Sequence, residues 1–245
     1  MKLSREGLTW ALAFAYIAYA AVGDIPGLSS NPVFSTVTAA EVFVVLYLVH
    51  SYANMGPKEA TKFLLIAAAV GYSMEYLFIT TGLLGNYVYL ANLSPFIGPV
   101  PAAIPLLWAS LSYFCLLAGG NYVVSAVLMM LFDISFDPKF STTLWNWIPP
   151  GEYYGVPLAN FAGWFFTALI IFVAYRLLSK RRFVPEWRSI SFYLMIGLFI
   201  GAIPDFVPGL YGAGVVAVVL FAVTGAALFA RRRARSLDRR DVLSG

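Results

Sequence analysis

Four carboxylates stand where the surrounding sequence is otherwise apolar: Glu41, Glu75, Asp133 and Asp137. An ionisable group at such a position costs roughly 3 kcal/mol on insertion scales, and where it is kept it faces a cavity. Asp133 and Asp137 are spaced i, i+4, so one helix face presents both. Asp205, between Pro204 and Pro208, is a lower-ranked member of the set. Aromatic residues crowd the nearby segments: Tyr87, Tyr89, Trp145, Trp147, Tyr153, Tyr154 and Trp164, with Asn160 among them. Paired acids in unlike environments divide acid and base work. A carboxylic acid kept protonated by an apolar site protonates an alkene. Ring faces then stabilise the tertiary cation, and an ionised second carboxylate directs water to it. Without the water step the same cation closes a ring. On this reading Asp133 and Asp137 are the acid and water-directing pair, while Glu75 and Glu41 tune or share the proton. The seven aromatic residues line an end-group pocket and Asn160 holds the water. Helix capping, or bonding to polar neighbours such as Ser73, Tyr72 and Asn160, is the simpler account of any one acid, but a poor account of four together.

The remaining chemistry of the chain is thin. A lone cysteine, Cys115, excludes a disulfide framework, and a lone histidine, His50, argues against a histidine metal centre or a Ser-His-Asp triad. Asp133-x-x-x-Asp137 invites comparison with motifs that hold magnesium diphosphate, yet that chemistry needs basic partners and only Lys139 lies on the same side. No span carries a central lysine for a retinal Schiff base. Gly212-Ala213-Gly214-Val215-Val216-Ala217 matches a dinucleotide fingerprint but has no strand before it, so it reads as small-residue helix packing. The expectation is chemistry with no metal and no cofactor.

The elements that must position these residues are membrane helices. Of 245 residues, 60% are hydrophobic and 11% charged, with a mean hydropathy of +0.78; a soluble domain is roughly 25% charged. Eight apolar stretches, about 8–23, 34–53, 60–80, 101–118, 121–137, 160–178, 189–204 and 208–230, approach the ~20 residues that cross a bilayer as helix. Gly119-Gly120-Asn121 reads as a tight turn between the fourth and fifth. Pro204, Pro208 and Gly209 break the last run, which leaves seven spans as the alternative to eight. With both termini cytoplasmic, one side collects Lys2, Arg5, Lys58, Lys62, Arg176, Lys180, Arg181, Arg182, Arg188 and the arginines from Arg231 to Arg240, leaving only Lys139 outside. The arginine-rich end reads as a flank on anionic lipid rather than a nucleic-acid site. Lys2, Arg5, the apolar run and Ala18-Tyr19-Ala20 resemble a signal peptide but are taken as the first span. The fold expected is therefore all-α, a polytopic transmembrane bundle in one domain, 1–245, with the bundle in 1–230 and a basic cytoplasmic tail in 231–245. On this topology Asp24, Glu41, Glu75, Asp133, Asp137, Glu152 and Asp205 all lie in the outer half or outer loops. Glu41 and Glu75 come roughly 10 Å below the surface at 1.5 Å per residue.

The same segments carry a resemblance. Gly85-x-Tyr87-x-Tyr89, Pro95, Gly98-Pro99-Val100-Pro101, Ile104-Pro105-Leu106 and Trp108 resemble one block of the membrane-embedded carotenoid 1,2-hydratases, the group that includes bisanhydrobacterioruberin hydratases. Asp133, Asp137-Pro138, Trp145-x-Trp147, Gly151, Tyr153-Tyr154-Gly155-Val156-Pro157-Leu158, Asn160-Phe161 and Gly163-Trp164 resemble its second block. The likeness covers about residues 70–165; it departs at Phe96-Ile97, where the family often has a charged residue. It implies addition of water across the terminal isopropylidene double bond of an acyclic carotenoid, in the cell membrane, alongside other carotenoid biosynthesis enzymes. Two rivals follow from the residues: a membrane lycopene cyclase using the same acids, and a proton-coupled transporter of a lipidic or cationic solute. The clustering of acids in one half of the membrane, and the lack of an inverted repeat, weigh against transport.

Overall fold

A computed structural model describes residues 4–23, 25, 35–141 and 143–244, with backbone only at 36 and 236–244. Lys2 and Asp24, and the side chains of Asp238, Arg239, Arg240 and Asp241, lie outside the described residues. Eight α-helices are present among the described residues: α1 (Arg5–Gly23), α2 (Thr36–Met55), α3 (Pro57–Thr81), α4 (Ala103–Gly119), α5 (Tyr122–Phe140), α6 (Leu158–Leu178), α7 (Trp187–Ile196) and α8 (Tyr211–Ser244). Each coincides with one apolar stretch of the sequence.

Local chemistry sets their ends. Ser35 Oγ accepts from the Thr38 N–H at 3.2 Å to open α2, and Asn121 Oδ1 accepts from the Val124 N–H at 2.8 Å to open α5. The expected tight turn closes with Gly120 at φ 66°, its N–H on Leu116 O at 3.0 Å. After α7 the backbone loosens into a π-helical stretch, Gly197–Ala202, and one 3₁₀ turn, Ile203–Asp205, before Pro208 and Gly209. The helix resumes as α8, so the break separates two helices. α8 runs on through the basic segment from Arg231 to Ser244.

Among the described residues, five helical segments are long and apolar enough to cross a membrane: α2, α3, α6, α7 with its extension to Asp205, and α8. At 17 residues α4 falls short of that standard, and α5 carries Asp133, Asp137 and Lys139 within its 19 residues. Large apolar side chains stay exposed on the outer helix faces, Leu177 at 80% and Leu65 at 64% among them, a pattern suited to lipid rather than water. Inside, Phe63, Tyr113, Phe114, Phe132, Phe172 and Tyr193 are fully buried in one continuous core.

The bundle departs from a purely helical reading in two short ribbons. β1 (Tyr87–Tyr89) pairs antiparallel with β4 (Trp145–Trp147), in the register Tyr87 to Trp147 and Tyr89 to Trp145. β2 (Phe96–Ile97) pairs with β3 (Val100–Pro101). The first ribbon joins the α3–α4 connection to the α5–α6 connection and so straps two helical hairpins together. Side-chain contacts give the bundle two distinct ends. At one, Glu6 meets Arg188, Lys62 Nζ donates to Leu178 O, Arg181 to Asn54 O and Arg231 to Gly119 O. The β1–β4 ribbon closes the other.

Candidate active site

Beneath that ribbon lies a cavity of about 310 Å³, walled chiefly by α2, α3, α4, α5 and α6, with Tyr16 of α1 and Ile196 of α7 also lining it. Antiparallel strands alternate their side chains, so in a three-residue strand the first and third residues share a face. Tyr87, Tyr89, Trp145 and Trp147 therefore point one way, into the cavity wall, while Val88 and Asn146 take the opposite face.

Each pair of rings serves one acid. Glu75 Oε2 accepts from Tyr87 Oη at 2.5 Å and Tyr89 Oη at 2.8 Å, and its Oε1 accepts from Trp108 Nε1 at 2.9 Å. Asp137 Oδ1 accepts from Trp145 Nε1 at 2.6 Å and Trp147 Nε1 at 3.3 Å. Burial, with Glu75 beside them, pushes the Tyr87 and Tyr89 phenols far above their usual range, so they remain donors. Two glycines make this approach feasible. A Cβ at Gly71 would lie 2.8 Å from Trp108 Cβ, so its absence lets α4 lay Trp108 against α3 one turn before Glu75. Gly82, at φ 64°, ends α3 in the left-handed conformation and turns the chain back towards β1.

Asp133 is held differently. The Asn160 Nδ2 group, near the start of α6, donates to Asp133 Oδ2 and to Asp137 Oδ2, both at 2.7 Å. Asp133 Oδ1 is buried without a hydrogen-bond partner, and the residue is 0% exposed. Three buried acids thus share one cavity. Two take three neutral donors apiece, and the third takes one.

The sequence-derived set divides here. Glu75, Asp133, Asp137, Tyr87, Tyr89, Trp145, Trp147, Asn160 and Trp164 all line the cavity. Glu41 also lines it but is exposed, at the rim rather than in the hydrogen-bonded group. Asp205 is fully buried with both carboxyl oxygens unpartnered, yet it lies outside the cavity wall. Tyr153 and Tyr154, expected at the pocket, are not among the residues lining this cavity. Tyr153 packs on Phe161 at 5.4 Å between centroids, and Tyr154 is 40% exposed. Trp108, the third donor to Glu75, was not among the expected site residues; it also packs on Trp164 at 4.5 Å. His50 is buried far from the acids, with Nδ1 3.0 Å from Tyr113 Oη. Among the described residues, no three His, Cys, Asp or Glu side chains come together as a metal-ligand group.

A family model described as carotenoid biosynthesis protein matches residues 30–229. The chain belongs to this family. As a carotenoid biosynthesis protein it holds its acids, their aromatic donors and Asn160 within the matched region, with α1 preceding it. Its apolar, lipid-suited exterior is that of a membrane protein. No curated protein and no solved structure matches the chain.

Proposed function

We propose that this carotenoid biosynthesis protein is a hydratase, adding water across the terminal isopropylidene double bond of an acyclic carotenoid without a cofactor. The observation that carries the reading is the unequal bonding of the three buried acids, with Asp133 Oδ1 alone lacking a partner at the cavity. Asp133 is the proton donor. Its O–H bond breaks as a C–H bond forms at the less substituted alkene carbon, leaving positive charge on the dimethyl carbon. The ring faces of Tyr87, Tyr89, Trp145, Trp147 and Trp164 stabilise that charge, as do the carboxylates of Glu75 and Asp137. Asp137 Oδ2 accepts one donor and retains a lone pair, with which it directs water onto the cation. The water oxygen bonds to carbon and its released proton returns to Asp133, so the sum is alkene plus water and the acid is restored.

The cavity, at about 310 Å³, is at the small end of ligand sites. It takes one end of a polyene while the rest of the molecule lies in the bilayer. Glu41, at the rim, meets the entering chain and has no step assigned. The charge asymmetry supports both termini on the cytoplasmic face of the cell membrane. The test is expression in cells that accumulate lycopene, followed by mass spectrometry of extracted pigments. A gain of one or two waters, lost in Asp133→Asn, is the expected result. An unchanged mass with altered retention shows ring closure instead, and unaltered pigment in well-expressed protein rejects lycopene as a substrate.

A further inference from the structure

At the opposite end of the bundle a second cavity, of about 150 Å³, opens where the α4–α5 turn, the segment leading into α7 and the length of α8 meet. One wall is apolar, from Val184, Pro185 and Leu228; the other is Arg231, Arg232 and Arg235. Arg231 and Arg235 are one turn apart on α8, where like charges destabilise a helix. Among the described residues no carboxylate is within ion-pair distance of any of the three. Of the nearby acids, Glu6 pairs with Arg188 at 3.3 Å, and Glu186 caps α7 while its charge also faces Arg188 and Arg232. Among the described residues this leaves Arg231 and Arg235 without an acidic neighbour at pairing distance. Arg231 Nη1 is steered to the cavity mouth by the Gly119 carbonyl at 3.4 Å.

We propose that this cavity binds the phosphate of an anionic phospholipid. Guanidinium groups match phosphate oxygens with paired N–H donors. The apolar wall suits the glycerol and first acyl carbons, which a free phosphate does not have. Leu228 is the last buried apolar residue of α8 before the arginines, so the cavity lies at the depth of a headgroup. A lipid held there fastens α8 to the turn that opens α5, the helix carrying Asp133 and Asp137.

The experiment compares thermal unfolding of the full chain in nanodiscs of phosphatidylglycerol and of phosphatidylcholine at equal ionic strength. Wild type is expected to melt about 3 °C higher in phosphatidylglycerol. R231Q/R235Q is expected to lose that difference, and R176Q/R182Q, which removes two arginines outside the cavity, to keep it. R231K/R235K preserves charge and helix while removing the planar fork, and is expected to lose most of the difference. Equal melting of wild type in the two lipids overturns the proposal, as does an equal loss in R176Q/R182Q. Inorganic phosphate added to phosphatidylcholine discs is expected to leave melting unchanged; recovery of the full difference by phosphate overturns the lipid in favour of a soluble anion.

Discussion

Glu59 and Glu75 sit near opposite ends of α3, and each is held by three side-chain donors. Glu59 takes Lys62 Nζ at 2.6 Å, Ser179 Oγ at 2.7 Å and Tyr175 Oη at 2.9 Å. Glu75 takes Tyr87, Tyr89 and Trp108. The count is the same and the electrostatics are opposite. A lysine cancels the charge of Glu59, so that site is closed as well as satisfied. Phenol and indole donors satisfy Glu75 without cancelling its charge, and Asp137 is treated alike. Both ion pairs among the described residues, Lys62 with Glu59 and Arg188 with Glu6, belong to the basic end. On the proposed reading, the acid end keeps a negative field for the cation that forms on the substrate.

Substitutions can break this contrast, and the greatest loss is expected at the proton donor. Asp133→Asn should lower hydration turnover at least ~100-fold while leaving expression and Tm near wild type, measured in isolated membranes with extracted pigment. Near-normal turnover would remove Asp133 from its role. Next, Glu75→Gln should cost about tenfold or more in turnover by removing the field, whereas Glu59→Gln should change turnover less than about threefold and show instead as a lower Tm. Equal effects on turnover at the two ends of α3 would end the comparison. Trp108→Phe removes one neutral donor from Glu75 and should reduce turnover about tenfold, the low end of the roughly 1.5–3 kcal/mol for a bond to a charged group. Gly71→Ala, which presses Trp108 away from α3, should lower Tm by about 3–6 °C and reduce turnover in proportion to the loss of that bond. Glu41→Gln, at the rim, should have the smallest effect, within about twofold.

Much of this site is legible in the sequence because membrane burial makes charged residues conspicuous. Asp133 and Asp137 at i, i+4 do share a face, and Asn160 bridges them. Depth along a helix, however, says nothing of direction around it. Asp205 has the depth expected of a site residue and is buried off the cavity wall. Glu41 has it too and reaches only the rim. The β1–β4 ribbon escapes a helical reading because each of its strands is only three residues long. Its signal was nonetheless present, since Tyr87-x-Tyr89 and Trp145-x-Trp147 repeat at two, the period of a strand. Trp108 is hidden for another reason: an indole in an apolar stretch reads as core or interface anchor, and only the glycine at 71 betrays how closely it approaches α3. The helix count follows from hydropathy, but the π-helical stretch after α7 does not, because its residues are as apolar as those of a regular helix.

The β1–β4 pairing has a consequence for how the site assembles. Its ladder bonds fix which tyrosine stands opposite which tryptophan, so one hairpin's register sets the other's. A slip of a single residue would turn Val88 and Asn146 inward and strip donors from Glu75 and Asp137 in the same event. The two acids therefore cannot be tuned separately by loosening their loops. The pocket is assembled as one unit or lost as one, like two keys cut on a single blank.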